Sequence, residues 1–166
     1  PKFGREIWGP IQETEIAKHA ILVEDEARFV EQAIELVVAH PYDIVHLSKP
    51  RGPNVLFGAL YKLIWDAKVL MDVDDEELAF VQAESPIGIA EYLAKHQQLP
   101  KLNLTGQDWT RIAVGMVNLF DGVTVSNPAL QNRYGGQIVR HARDENAFVP
   151  SAELKAKSRK KYGLPA

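Results

Sequence analysis

The stretch Asp43-Ile44-Val45-His46-Leu47-Ser48-Lys49-Pro50 decides the fold of this chain. Its central residues are mostly apolar over the length of one strand and a turn begins at Pro50, so the stretch predicts a buried β-strand. The next segment, Asn54 to Trp65, is apolar almost all round and predicts a helix that Asn54 caps. Lys68–Val73 then predicts another strand. A strand, a helix and a strand in this order predict a parallel pair joined by a right-handed crossover.

The same alternation of apolar runs and helix-period segments continues in both directions. Upstream, residues 20–23 predict a strand that leads into an amphipathic helix ended by Pro41. Downstream, the sequence predicts strands over 122–126 and 137–141, and helices over 85–96, 109–120, 127–135 and 151–162. Because the strands are mostly apolar, we expect helices on both faces of a parallel sheet. The sequence thus predicts an α/β fold, a Rossmann-like three-layer α/β/α domain.

Composition and charge narrow the class of protein. The 166 residues are 46% apolar and 25% charged, as in average soluble globular proteins. The absence of cysteine excludes disulfides and thiolate metal sites. The net charge of −3 is uneven, because residues 151–166 carry five Lys or Arg and one Glu, which leaves −7 for residues 1–150. Without a general basic surface, no nucleic-acid partner is expected. We assign residues 1–148 to the domain and residues 149–166 to a linker and basic helix.

Polar residues follow the predicted strands. In open α/β sheets, ligands bind beyond the carboxyl ends of the strands, and cations there bind phosphate or carboxylate. The amides at predicted helix starts attract anions in the same way. These rules select the candidate residues for binding an acceptor or a phosphate: Ser48, Lys49, Arg51, Asn54, Asn127, His141 and Arg143. Each of them alone is also typical of turns and caps, and no catalytic residue is assigned.

The acidic run Asp72-Val73-Asp74-Asp75 raises the question of a metal site, because carboxylates at a strand end can bind Mg²⁺. A phosphatase that forms a phosphoaspartate needs a threonine-like residue at position 76, where this chain has Glu76. We therefore expect no metal and no cofactor. A metal-dependent phosphatase using Asp72 and Asp74 stays open as an alternative, as does a non-catalytic Rossmann-like binding module.

Several segments, in their order and spacing, resemble the N-terminal domain of family 4-like (group 1) retaining glycosyltransferases of the B-type fold. Residues 43–50 resemble its D-[IV]-V-H-x-H-x-P segment, with Ser48 in place of the second histidine. Residues 69–75 resemble the strand that follows it in some members, and residues 124–127 resemble its vtvS strand. Residues 138–150 stand where the family has a Pro-Asn-Gly segment, here Arg140-His141-Ala142. Residues 158–165 match its R-x-x-x-G-[LI]-P helix.

The resemblance implies most of the acceptor-side half of a two-domain enzyme, without the first strand, the glycine-rich loop and the C-terminal nucleotide-sugar domain. The whole enzyme would transfer a sugar, with retention and without a metal, from a nucleotide-sugar donor to a glycan, lipid or small-molecule acceptor. These residues alone would be inactive. The implied location is the cytoplasm, and the basic helix leaves open a peripheral contact with the inner face of the membrane.

Overall fold

A computed structural model of the chain describes residues 9–21, 26–101, 103, 105–142, 149 and 151–165. Helices and strands alternate along most of its length. The elements are α1 (Gly9–Gln12), α2 (Glu26–Ala39), β1 (Ile44–Ser48), α3 (Gly52–Trp65), β2 (Lys68–Val73), α4 (Glu77–Phe80), α5 (Ile89–His96), α6 (Gln107–Gly115), a 3₁₀ turn (Val117–Leu119), β3 (Gly122–Val125), α7 (Pro128–Tyr134), β4 (Gln137–Ile138) and α8 (Ala152–Lys161).

The four strands form one parallel sheet in the order β1-β2-β3-β4. The predicted α/β fold with a parallel sheet is confirmed and is consistent with a Rossmann-like domain. Because each strand pairs with the next in sequence, right-handed crossovers bring the connecting helices to the same face of the sheet. Val69, Met71, Val73 and Val125 lie fully buried beneath them.

The other face of the sheet is more accessible. It carries His46 and Ser48, which are exposed, and Leu70, Asp72 and Thr124, which are half-buried. Helices were expected on both faces, and the described part of the chain supplies them to one. The alternating burial along β1 and β2 follows from this one-sided cover.

Helix α3 packs closely on the sheet and holds α2 in place. A Cβ atom on Gly58 would lie 2.6 Å from Leu47 Cδ1, so glycine allows this approach. At the far end of α3, the Tyr61 hydroxyl donates to the His40 carbonyl over 2.9 Å, and Trp65 Nε1 donates to the Val37 carbonyl over 2.8 Å. These two bonds fix the C-terminal end of α2, next to β1.

Several predicted boundaries are wrong. The described Ala20 and Ile21 have no regular secondary structure, and the rest of that predicted strand lies outside the described residues. Helix α5 begins at Ile89 rather than Ser85, because Gly88 is extended and the N–H of buried Ile87 donates to the Arg111 carbonyl instead of joining a helix. Strand β4 ends at Ile138, since its partner β3 ends at Val125.

The basic helix over residues 151–162 is confirmed as α8, and the Ser151 hydroxyl caps it by accepting from the Leu154 N–H over 3.2 Å. Its side chains are largely exposed. The domain boundary at residue 148 stays a prediction, because residues 143–148 lie outside the described part of the chain. Among the described residues, no helix is both long and apolar enough to span a membrane.

Candidate functional site

The carboxyl ends of β1 and β2 bring five charged residues together, which we name the strand-end cluster: Lys49, Arg51, Asp74, Asp75 and Glu77. The ammonium group of Lys49 is central to it. Lys49 Nζ lies 3.1 Å from Asp74 Oδ1, 2.5 Å from Asp75 Oδ2 and 3.8 Å from Glu77 Oε1. One cation therefore contacts three carboxylates at the edge where an α/β sheet binds ligands.

The backbone at Lys49 explains this position. The Lys49 N–H donates to the Asp72 carbonyl over 2.9 Å, which extends the sheet by one bond beyond β1. Lys49 then adopts a φ of +75°, a left-handed conformation that costs a non-glycine residue about 1–2 kcal/mol. Conformations of this kind concentrate at functional sites, where the surrounding structure maintains them. Here the conformation turns the chain sharply before Arg51, immediately after the strand.

Arg51 compensates a buried charge. Its Nε and Nη2 atoms lie 2.7 and 3.3 Å from the two carboxylate oxygens of Glu77. Only 3% of the Glu77 side chain is exposed, and a carboxylate buried to that degree needs a paired cation. Arg51 is thus engaged by the protein itself, and its contact to any ligand would use the donors that Glu77 leaves free.

The pKa values of Lys49 and Asp75 reinforce their ion pair. Burial works to lower the pKa of Lys49, but its hydrogen bonds to Asp75 and Asp74 outweigh that effect and raise it above the usual value. The bond from Lys49 lowers the pKa of Asp75. Both groups therefore stay charged near neutral pH. With two cations and three carboxylates, the strand-end cluster has a formal charge of −1.

The remaining candidate residues surround this cluster. The Asn54 side-chain amide donates to the carbonyls of Ser48 and Lys49, the latter over 3.0 Å, and so supports the turn after β1. The prediction that Asn54 caps α3 is wrong, because Pro53 already lies in the first turn of a helix that begins at Gly52. Ser48 itself is exposed at the end of β1.

Asn127 and His141 reach the cluster from the other strands. Asn127 Oδ1 accepts from the Leu130 N–H over 3.0 Å, which confirms the predicted helix start. Its neighbour Ser126 donates to the Asp74 carbonyl over 2.8 Å, and His141 Nε2 lies 3.9 Å from Asp74 Oδ2. Six of the seven predicted residues thus lie at one edge of the sheet. The seventh, Arg143, lies outside the described residues.

Three carboxylates of the cluster are close enough to share a cation. The ligand atoms of Asp74, Asp75 and Glu77 lie within 4.8 Å of one another, and the cation they contact is the Lys49 ammonium. Asp72 is directed elsewhere, because its Oδ1 accepts from the Thr124 hydroxyl over 2.5 Å. The pairing of Asp72 with Asp74 that the phosphatase alternative needs is therefore not supported by these contacts.

The sequence interpretation missed a second polar group beside the cluster. The Tyr134 hydroxyl donates to Glu76 Oε1 over 2.6 Å, and Arg133 Nη1 lies 2.9 Å from Glu76 Oε2. Burial, together with this bond to a carboxylate, raises the pKa of Tyr134 well above its usual value. Tyr134 thus stays a hydrogen-bond donor and fixes Glu76. No local pattern signals such a contact, because the partners lie 58 positions apart in the chain.

Comparison with known proteins identifies no relative of this chain. No protein-family model, no curated protein and no solved structure matches the chain. The function is therefore inferred from the strand-end cluster and from the sequence segments that resemble group 1 glycosyltransferases.

Proposed function

We propose that this chain forms the acceptor-side wall of the active-site cleft in a retaining glycosyltransferase of the B-type fold. The observation that carries the proposal is the strand-end cluster itself. Its members follow β1 and β2, and Ser126 and His141, which follow β3 and β4, contact its Asp74, so polar groups from all four strand ends lie at the edge where an α/β sheet binds ligands. The order and spacing of the resembling segments support the same proposal.

The charge of the cluster favours a neutral ligand that presents a hydroxyl group to it. Lys49 and Arg51 are both paired with carboxylates, so the formal charge of −1 does not favour a free anion. The carboxylates of Asp74 and Asp75 have further lone pairs that can accept hydrogen bonds from hydroxyl groups. Such charge-assisted bonds are stronger than neutral ones. An acceptor alcohol or a sugar matches this chemistry.

In the proposed reaction, the acceptor hydroxyl oxygen bonds to the anomeric carbon of a nucleotide sugar, and the bond from that carbon to the diphosphate oxygen breaks. The nucleoside diphosphate leaves with the electron pair and takes up the hydroxyl proton. A second domain would hold most of the donor. This chain would position the acceptor, a contribution that can lower a reaction barrier by several kcal/mol.

A substitution at Asp75 tests the proposal in the full-length protein. We expect Asp75→Asn to lower kcat/KM for nucleoside diphosphate release from a sugar donor by about 10- to 100-fold, because a hydrogen bond to a charged group contributes roughly 1.5–3 kcal/mol. The melting temperature should change little, since half-exposed ion pairs contribute little to folding.

The matched control is Asp66→Asn. Asp66 is exposed and lies just before β2, so it lies at the amino ends of the strands, away from the strand-end cluster. This variant should leave turnover unchanged. The isolated 166-residue chain should show no turnover, because it supplies one wall of the cleft. Equal turnover in Asp75→Asn and the wild type, with the control also unchanged, would remove the strand-end cluster from the mechanism.

A metal-dependent phosphatase is the second candidate, and the proximity of Asp74, Asp75 and Glu77 favours it. The same preparation distinguishes the two. Mg²⁺-dependent release of phosphate from p-nitrophenyl phosphate would support the phosphatase, while saturable sugar binding without turnover of either kind would support a non-catalytic binding module. The proposal for a glycosyltransferase expects neither result.

The proposal includes a cytoplasmic location and, through α8, a contact with an anionic membrane surface. The five cations of α8, between Lys155 and Lys161, are spread around the helix axis rather than gathered on one side. Such a contact would be electrostatic and would weaken with salt. Co-sedimentation with phosphatidylglycerol vesicles at low and high salt measures it, and equal recovery at both would contradict it.

A further inference from the structure

A cavity of about 420 Å³ lies beside the strand-end cluster, between β1, α2 and α3. Its volume falls within the roughly 300–1,000 Å³ of small-molecule binding sites. Most of its wall is apolar: Phe29 and Leu36 come from α2, Phe57 from α3, and Val45 and Leu47 from β1. The rings of Phe29 and Phe57 meet edge to face, with centroids 6.0 Å apart. This wall suits an aromatic or alkyl group.

The cavity also borders the outer edge of β1, with which no other strand among the described residues pairs; we call it the open edge. The Lys68 N–H donates to the Asp43 carbonyl, and the Lys49 N–H donates to the Asp72 carbonyl. The backbone N–H and C=O groups of the odd-numbered residues of this strand therefore point toward β2. In a parallel strand, the backbone groups of Ile44 and His46 must then point the other way, toward the open edge. A ligand in the cavity would meet these donors and acceptors as well as the apolar wall.

The polar end of the cavity lies next to the turn that carries Lys49 of the strand-end cluster. Ser48 and Asn54 both line it, and the Asn54 amide binds the carbonyls of Ser48 and Lys49. Lys49 in turn contacts Asp75. A molecule with its apolar body in the cavity would therefore have its polar end beside the carboxylates proposed to receive the acceptor hydroxyl.

We propose that the cavity binds the body of the acceptor and that the acceptor is an alcohol with an aromatic or alkyl body. The identification as acceptor rests on the proposed function, whereas binding in the cavity does not. A free glycan fits less well, because it carries hydroxyl groups on all sides, and away from the β1 edge and the polar end the wall offers them no partner. During transfer, the hydroxyl oxygen of this alcohol forms the bond to the anomeric carbon, as described above.

The binding test uses 2-naphthol as the probe and the purified full-length protein. We expect saturable binding of one molecule per chain by fluorescence titration. Leu36→Trp should weaken binding at least tenfold, because the larger ring fills the cavity from a half-buried position. The matched control is Leu63→Trp on α3, where 82% of the side chain is exposed, and it should bind as the wild type does.

A second variant keeps the test valid if Leu36→Trp fails to fold, as judged by circular dichroism. Ser48→Trp replaces an exposed residue at the polar end of the cavity and should also weaken binding. Competition by 1-decanol would point to an alkyl body, and its absence to an aromatic one, whereas displacement by glucose would overturn the inference. Failure of 2-naphthol to bind, or wild-type affinity in both folded variants, would also overturn it.

A transfer assay separates this inference from the proposed function. Naphthol that binds but yields no naphthyl glycoside with any nucleotide sugar would contradict the proposed function and leave the binding site standing. Glycoside formation on a free sugar, together with no naphthol binding, would contradict the inference and leave the proposed function standing.

Discussion

A single carboxylate, Asp121, joins the sheet to α3. Asp121 Oδ2 accepts from Lys62 Nζ over 2.6 Å and from the Val69 N–H over 2.8 Å, and Lys68 lies 3.7 Å away. The bond from Lys62, aided by the Val69 N–H, lowers the pKa of Asp121 from 3.8 to about 2. The carboxylate therefore stays charged to low pH in the folded protein.

This pKa predicts a dependence of stability on pH. Since the folded pKa lies below the unfolded one, Asp121 stabilises the fold above about pH 4, and that contribution is lost as the pH falls from 4 to 2. We expect Asp121→Asn to lower the melting temperature at pH 7 and to flatten its fall between pH 4 and 2. Melting curves in that range measure this, with Asp66→Asn as the control. A variant whose curve runs parallel to the wild type would refute the prediction.

At the residue scale, the sequence predicted where the site residues lie better than it predicted which residues they pair with. Strand ends follow from apolar runs, so Lys49, Arg51 and His141 could be placed at one edge from the sequence. Their ion pairs could not, because Arg51 and Glu77 are 26 positions apart and meet only when β1 and β2 align. The sequence interpretation treated both cations as open to anions for this reason.

At the scale of elements, the two sides of β1 should respond differently to proline. The Val45 N–H faces β2, so Val45→Pro should cost about 1–3 kcal/mol by removing a bond between the two strands and leaving its carbonyl in β2 unpaired. The His46 N–H faces the open edge, where proline is tolerated in a strand. We therefore expect His46→Pro to cost clearly less.

Urea unfolding of both variants measures the difference. The two substitutions lie side by side in the same strand, so each serves as the control for the other. An equal or larger loss of stability in His46→Pro would mean that the open edge is paired in the protein, which would also restrict access to the cavity beside β1.

Element types were predictable, and their ends were less so. The helix predicted over 109–120 stops at Gly115, and a 3₁₀ turn follows at Val117–Leu119. At Gly115 the helix passes so close to another segment that a Cβ atom would lie 2.7 Å from the Ile87 carbonyl oxygen. Met116 and Val117 still pack inward after the helix ends, so the helical spacing of apolar residues continues past Gly115. A pattern of apolar residues cannot distinguish such a turn from a longer helix.

At the scale of the whole molecule, the parallel sheet could be predicted, but not that the helices of the described part of the chain would lie on one of its faces. The alternation of strands and helices along the chain predicts crossover connections. The face of the sheet on which each connecting helix lies depends, however, on the order of the strands within the sheet. Nothing in the apolar runs of β2 and β3 reports that order. The cavity escaped prediction for the same reason, since it lies between elements that only the spatial order brings together.

The strand order also has a consequence for how the chain folds. Residues 49–67 join β1 to β2 and residues 126–136 join β3 to β4, whereas β2 and β3 are separated by residues 74–121. Closing the longest connection costs the most chain entropy, although the cost rises slowly with length. We expect the two outer strand pairs to form first and the β2–β3 pairing to join them last.

Pulse-labelled hydrogen exchange during refolding can observe this sequence of events. The Lys49 N–H bonds across β1 and β2, the Val139 N–H continues the pairing of β3 with β4, and the Asp121 N–H bonds to the Val69 carbonyl between the two halves. The first two amides should gain protection before the third. If all three are protected together, the long connection is not the slow step. Earlier protection of the Asp121 N–H would instead mean that the central strands β2 and β3 pair first and that the outer strands join them later.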